Sequence, residues 1–287
     1  MKSDANEIAI VGLSFEFPNT NSLDKLWEGL LKGSCFYNID CKKKNNNEVS
    51  AFGSVKNIEG FDYRFFGYSY KEACYMDPQH RLLLQHSFNA LENAGYMNKN
   101  SIPVTGVFAS ASINRYLSHN LSGQVNPDSE DEIVLGNTND FLATRIAYKL
   151  GLKGPALNIQ SGCSSSLSSL HSARISLLTN QCEMALVGAV SLSAPHDHGY
   201  KYSKEGIRSK NGEIRAFDKD ASGTVFTNGI AVIVLKKLVD AKAASDNILG
   251  IISSSALNND GDKKASFTAP SSISQAQVIA KAMRIAK

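Results

Sequence analysis

Residues 157–171 read LNIQSGCSSSLSSLH. One cysteine, Cys163, stands between a glycine and three serines. An apolar run, Pro155 to Ile159, lies ahead of it. Behind it Leu167, Leu170, Arg174, Ile175 and Leu178 recur at helical spacing. The pattern predicts a strand, a sharp turn and a helix, with Cys163 at the elbow. The first turn of a helix presents unpaired N–H groups and the positive end of the helix dipole. Both favour a thiolate, the form of cysteine that attacks a carbonyl carbon. Gly162 accepts backbone angles that other residues resist. Its small neighbours leave room for a substrate. Without that context the same thiol reads as a small core hydrophobe.

Other candidate groups are weaker. His171 lies about 12 Å along the helix from Cys163, too far to act as its base by direct hydrogen bond. Pro195-His196-Asp197-His198 sets two histidines at i, i+2 but offers no third ligand, so no metal is expected. Ser164, Ser165 and Ser166 are expected to satisfy helix N-terminal amides. No G-x-S-x-G elbow is present, which argues against a serine triad. Asn258-Asn259-Asp260-Gly261 is a turn signal, expected to bond its own backbone.

The elements that must position these groups alternate along the chain. Ile8 to Gly12 reads as a strand. A helix follows with Ser22 as N-cap, an apolar stripe of Leu23, Leu26, Trp27, Leu30 and Leu31, and a stop at Gly33. Residues 41–50 read as an exposed loop. Asp77-Pro78 starts a second helix that runs through Leu83, Leu84, Phe88 and Leu91 to Gly95. A strand is expected near 104–108, a polar loop over 118–132, and a helix over 139–149. Strands follow at 183–190, 229–237 and 248–255, and a last helix at 274–286. Helices alternating with apolar strands give an α/β class, with helices covering a sheet.

Composition sets the bounds. The 287 residues suffice for one large domain or two modest ones. Apolar residues are 43% and charged residues 20%, as in ordinary soluble globular proteins. The net charge of +3 is weak and the lysines are scattered apart from Lys42-Lys43-Lys44, which reads as a solvated loop. Nucleic-acid binding therefore has little support. Five cysteines without a regular framework and without a signal peptide suggest reduced thiols and a cytoplasmic location. No apolar run is long enough to cross a membrane.

Five stretches taken together carry a resemblance. They are IAIVGLSFEFPNTNSLDKLWEGL, FFGYSYKEACYMDPQHRLLLQHSFNALENAGY, GCSSSLSSLH, EGIRSKNGEIRAFDKDASGTV and ALNNDGDKKASFTAPS. In that order they resemble a β-ketoacyl synthase, and most closely the ketosynthase domains of type I modular polyketide synthases. The resemblance implies a thiolase-like α/β fold of layered helices and mixed sheets. It implies that Cys163 accepts an acyl chain from the phosphopantetheine arm of an acyl carrier protein. A malonyl-type extender would then lose carbon dioxide and attack the thioester. The Cys163 backbone N–H can supply one donor to the oxyanion. No bound cofactor is implied. A homodimer is implied, through the strand before Cys163, about 155–160, which would cover an exposed sheet edge.

The resemblance also marks what is missing. The family uses two later histidines, one in an HGTGT stretch and one in an NxGH stretch. None of the histidines at 80, 86, 119, 171, 196 and 198 sits in either. Residues 1–240 are expected to form the first half of a ketosynthase. Residues 241–287 are expected to begin a second half that stops after its first strand and helix. The expectation is a chain that needs a complementary chain bearing those histidines, with a non-catalytic scaffold or remnant, able to dimerise or dock carrier proteins, as the alternative. Ser110, Thr227, Ala231 and Ser266 stand where the family has glycine. A turn with positive φ at Thr227 would cost about 1–2 kcal/mol. Phe226, Thr227 and Asn228 are candidates for the substrate pocket, Phe226 because its bulk could limit chain length. Asp218 and Asn228 lie, by resemblance, near the site floor and are read as structural.

Overall fold

The computed structural model describes residues 6–39, 47–97, 102–123, 129–194, 199–262 and 264–287. The Lys42–Lys44 run and the Pro195–His198 stretch lie outside the described residues. The strands are β1 (Ile8–Glu16), β2 (Asn38–Ile39), β3 (Glu48–Val49), β4 (Ala51–Phe52), β5 (Thr105–Ala111), β6 (Ala156–Asn158), β7 (Met184–Ser191), β8 (Tyr200–Lys201), β9 (Gly229–Lys237) and β10 (Gly250–Ile252). The helices are α1 (Leu23–Leu31), α2 (Tyr70–Tyr75), α3 (Pro78–Asn93), α4 (Tyr116–His119), α5 (Glu130–Asn137), α6 (Leu142–Leu150), α7 (Ser165–Leu178), α8 (Leu238–Ala243) and α9 (Ser272–Ile285).

Six strands form one mixed sheet in the order β10-β1-β9-β7-β5-β6. Strand β5 runs parallel to both β6 and β7, and the remaining pairs are antiparallel. Side chains alternate across the sheet as the pleat requires. Val107, Ala109 and Ala111 of β5 join a core with Leu83, Leu84 and Leu91 of α3 and Ile146 of α6. Phe108 points the other way, to Ala173 and Leu177 of α7. Gly12 permits the tight seat of α3 on β1, because a Cβ there would lie 2.6 Å from the Ala90 carbonyl oxygen.

Local signals explain several boundaries. The Asp77 carboxylate accepts from Gln79 N–H at 2.8 Å and Pro78 opens α3, as the sequence predicts. Ser22 caps α1 through Lys25 N–H. Gly151 ends α6 in the left-handed region at φ 68°. The capping box of Ser69 and Glu72 starts α2, which periodicity did not reveal. Part of the expected loop at 118–132 is helical, in α4 and α5. The expected strand at 248–255 shortens to β10.

Two apolar stripes differ from expectation. On α1, Leu23, Trp27, Leu30 and Leu31 are exposed and only Gly29 is buried. On α7, Leu167 is 66% and Ile175 41% exposed, while Ser165, Ser168, Ser169, Ala173, Ser176 and Leu177 are buried. Serines and an alanine make up most of the buried positions, with Arg174 and Leu177 among them, and Leu170 and Leu178 pack partly against the sheet, while Leu167 and Ile175 turn outward. Helix α9 buries no residue at all.

A buried polar knot ties the far end of β9 to two loops. Lys236 pairs with Asp246 at 2.5 Å, and the Tyr96 hydroxyl donates to the same carboxylate at 2.8 Å. The Lys236 ammonium also donates to the Tyr96 oxygen at 2.7 Å. Each member finds partners, as a buried charge requires.

Candidate active site

Cys163 stands where β6 turns into α7. The turn is a short 3₁₀ segment, Gly162–Ser164, that runs directly into α7. Gly162 takes φ 64°, a conformation in which a Cβ would be strained. Cys163 is exposed, and no disulfide joins it. Strand, turn and helix are thus in the predicted order, with the thiol open to an incoming group at a helix start.

The serines hold the turn itself. Ser161 N–H donates to Ser165 Oγ at 2.8 Å, and Ser165 Oγ donates to the Gly162 carbonyl at 2.7 Å. Ser164 Oγ donates to the Ser161 carbonyl at 2.9 Å. Ser161 Oγ donates to Ser168 Oγ at 2.8 Å. Ser164 occupies the N-cap position without a side-chain bond to the helix amides. This corrects the expectation that these serines cap α7. They brace the elbow.

The other sequence candidates separate in space. His171 Nδ1 lies 2.8 Å from Ser255 Oγ, joining α7 to the segment after β10. Burial, then the charges of Arg174 and Lys281, hold its pKa below the ordinary value. Phe226 is half exposed, with the Arg208 guanidinium 5.1 Å from its ring centroid. Thr227 lines a cavity of about 320 Å³ with Phe17, Pro18, Leu26, Cys35 and Val225, which Cys163 does not line. Thr227 does not take a positive φ, so the strain considered for that position does not arise. Asn228 is buried, donates its N–H to the Gly53 carbonyl at 2.8 Å, and accepts from Ser193 N–H at 2.9 Å. Asp218 bonds locally, accepting from Asp220 N–H at 2.7 Å.

One residue near the elbow escaped the sequence reading. Gln79 is 1% exposed, and its side chain meets the C-terminal ends of β5 and β7. Its Oε1 accepts from Ser112 Oγ at 2.7 Å, Ser112 N–H at 3.2 Å and Leu192 N–H at 3.3 Å. The only sequence signal was a polar residue two places after the Asp77 cap, inside an otherwise buried helix.

A fold with an exposed cysteine at a strand–helix elbow can be compared with known proteins. The family described as "Beta-ketoacyl synthase, N-terminal domain" matches residues 5–241. The chain belongs to the β-ketoacyl synthase family. Ketosynthase twelve of the bacillaene polyketide synthase from Bacillus amyloliquefaciens superposes with a TM-score of 0.91 at 38% identity, covering 98% of this chain and 50% of that one. The module 1 ketosynthase of the bacillaene synthase from Bacillus amyloliquefaciens FZB42 gives 0.85 at 38%, covering 97% and 51%. Polyketide synthase PksN of Bacillus subtilis is 38% identical over 96% of this chain and 5% of its own length. A phenolphthiocerol/phthiocerol polyketide synthase polypeptide of Mycobacterium tuberculosis is 37% identical over 98% of this chain and 20% of its own. The chain therefore spans about half the length of the solved ketosynthases and a smaller share of the longer synthases. The mixed α/β architecture is that of the ketosynthases. No helix among the described residues is long and apolar enough to cross a membrane.

Proposed function

We propose that this chain carries the acyl-accepting part of a polyketide ketosynthase. Cys163 is the nucleophile. Its thiolate attacks the thioester carbonyl of an acyl group borne on the phosphopantetheine arm of an acyl carrier protein. A new C–S bond forms, and the pantetheine thiolate leaves. The Cys163 N–H donates to the developing oxyanion. Decarboxylation of a malonyl-type extender and the carbon–carbon bond require the two later histidines, supplied by sequence that aligns beyond Lys287 or by a complementary chain. The observation that carries the reading is the exposed thiol on the braced turn between β6 and α7.

Two partner surfaces belong to the same reading. Among the described residues strand β6 ends the sheet beside β5, so its outer edge can meet the same strand of a second copy. The exposed larger side chains of α7, β10 and α9 suit contact with the second half of the fold.

The test is the intact mass after incubation with a short acyl-pantetheine thioester, with Cys163→Ala as control. A gain of one acyl group, absent in the control, supports the reading. No gain in folded protein, with or without a polypeptide supplying the second half, favours a non-catalytic scaffold. Carbon dioxide release from a malonyl thioester by this chain alone would overturn the requirement for the later histidines.

A further inference from the structure

Two glutamine side chains grip one peptide group. The peptide joins Ala111, the last residue of β5, to Ser112. Its N–H donates to Gln79 Oε1 at 3.2 Å and to the Val190 carbonyl at 3.0 Å. Its C=O accepts from Gln160 Nε2 at 3.0 Å. Gln160 is three residues before Cys163. On its other side Gln79 Nε2 donates to the Asp77 carboxylate at 3.1 Å and the Ser112 carbonyl at 3.3 Å. Each polar atom of the buried Gln79 amide is engaged, and the acceptor gathers the ends of two strands.

We propose that Gln79 is a positioning residue for the nucleophile turn. It acts through the Ala111–Ser112 peptide and Gln160, and it does not touch substrate. The inference rests on Cys163 being the nucleophile. With Gln79 in place, the peptide plane is fixed, and its carbonyl points where Gln160 can donate. That bond anchors the chain three residues ahead of the thiol. Without Gln79 the peptide N–H keeps only the Val190 carbonyl, and the plane loses the second acceptor that sets its tilt. The carbonyl that Gln160 reaches is then held less firmly, and the Ser161–Gly162 turn leans on its own serines and on the Ile159 N–H bond to the Ala109 carbonyl. Small misplacements of a reacting group carry large rate effects.

Iodoacetamide alkylation of the whole chain, mapped by peptide mass, separates the possibilities. Cys35 is exposed, takes no part in the Gln79 and Gln160 hydrogen bonds, and serves as internal reference. Gln79→Met is expected to slow Cys163 alkylation roughly tenfold relative to Cys35. Gln79→Glu keeps the accepting oxygen, and its second oxygen can share a proton with the Asp77 carboxyl, whose pKa burial raises. It is expected to recover most of the ratio. Gln160→Met removes the grip from the exposed side and is expected to act in the same direction, so the test survives if Gln79→Met fails to fold. An unchanged Cys163-to-Cys35 ratio in folded Gln79→Met, or in Gln160→Met, overturns the inference while leaving the nucleophile intact. Equal slowing of both cysteines also overturns it. Wild-type Cys163 reacting no faster than Cys35 defeats the nucleophile reading, and the positioning role falls with it.

Discussion

Helices α3 and α7 lie on opposite faces of one sheet and use it differently. Helix α3 buries eleven residues, Leu82, Leu83, Leu84 and Leu91 among them. Helix α7 buries four serines and an alanine beside only two larger residues, Arg174 and Leu177, and turns Leu167 and Ile175 outward. The first helix has a finished core above it. The second approaches the sheet closely through small side chains and keeps an apolar surface on its far side. A helix apolar on more than one side is built to be covered on more than one side. The site hangs from the less covered helix, and its anchor, Gln79, comes from the more covered one.

The largest expected contrast is in the cores themselves. Leu83→Ala, at a fully buried position, is expected to destabilise the chain by about 3–4 kcal/mol in urea unfolding. A loss below about 1 kcal/mol would show that the α3 face is loosely packed.

Acid should attack the α3 face first. His86 and His80 are both buried there, and burial lowers their pKa values to about 4 and about 3. His86 also lies 2.8 Å from Ser14 Oγ. The native state binds the proton more weakly than the unfolded chain does, so stability rises with pH across this window. Their contribution is full above the unfolded value of 6.5 and is lost as pH falls, through about 4 and then about 3. The loss from His86 alone is on the order of 3 kcal/mol. Unfolding free energies measured from pH 7 to pH 3 that stay flat would refute this assignment.

A smaller change tests His80 itself. Neither ring nitrogen has a hydrogen-bond partner among the described residues. His80→Leu is expected to be neutral or stabilising by about 1 kcal/mol at pH 7, because unpartnered buried polar atoms are lost with it. It should also remove the lowest part of the acid limb. Destabilisation beyond about 2 kcal/mol would mean that the imidazole has a role its surroundings do not display.

The smallest effect is expected on α7. Leu167→Ala should change the stability of this chain by less than about 0.5 kcal/mol, as at an ordinary surface position. A loss close to that of Leu83→Ala would mean that the outer face of α7 is already covered in solution, and a concentration series would then show association.

What the sequence made legible follows from where each signal acts. The elbow, the Asp77-Pro78 start of α3 and the strand 229–237 rest on local chemistry and hydrophobic runs, and they stand in the structure as read. Periodicity found the stripes of α1 and α7 but not which way they face. Burial depends on what packs against a helix, and sequence spacing carries no such information. The serines after Cys163 looked like caps because composition cannot distinguish a hydroxyl aimed at the helix from one aimed back at the turn. Gln79 was illegible for a related reason. Its partners, Ser112 and Leu192, are 33 and 113 residues away. Thr227 and Asn228 were placed by resemblance, and the structure seats them by Gly53 and Ser193.

The exposed stripe of α1 has a spectroscopic consequence. It carries the sole tryptophan of the chain, Trp27, with 63% of its surface open to solvent. In the folded chain the indole already meets water, so intrinsic fluorescence should change little as the core melts. The same ring should brighten or shift to the blue when anything settles on α1. The emission of Trp27 is thus a built-in gauge of docking, and a poor thermometer of folding.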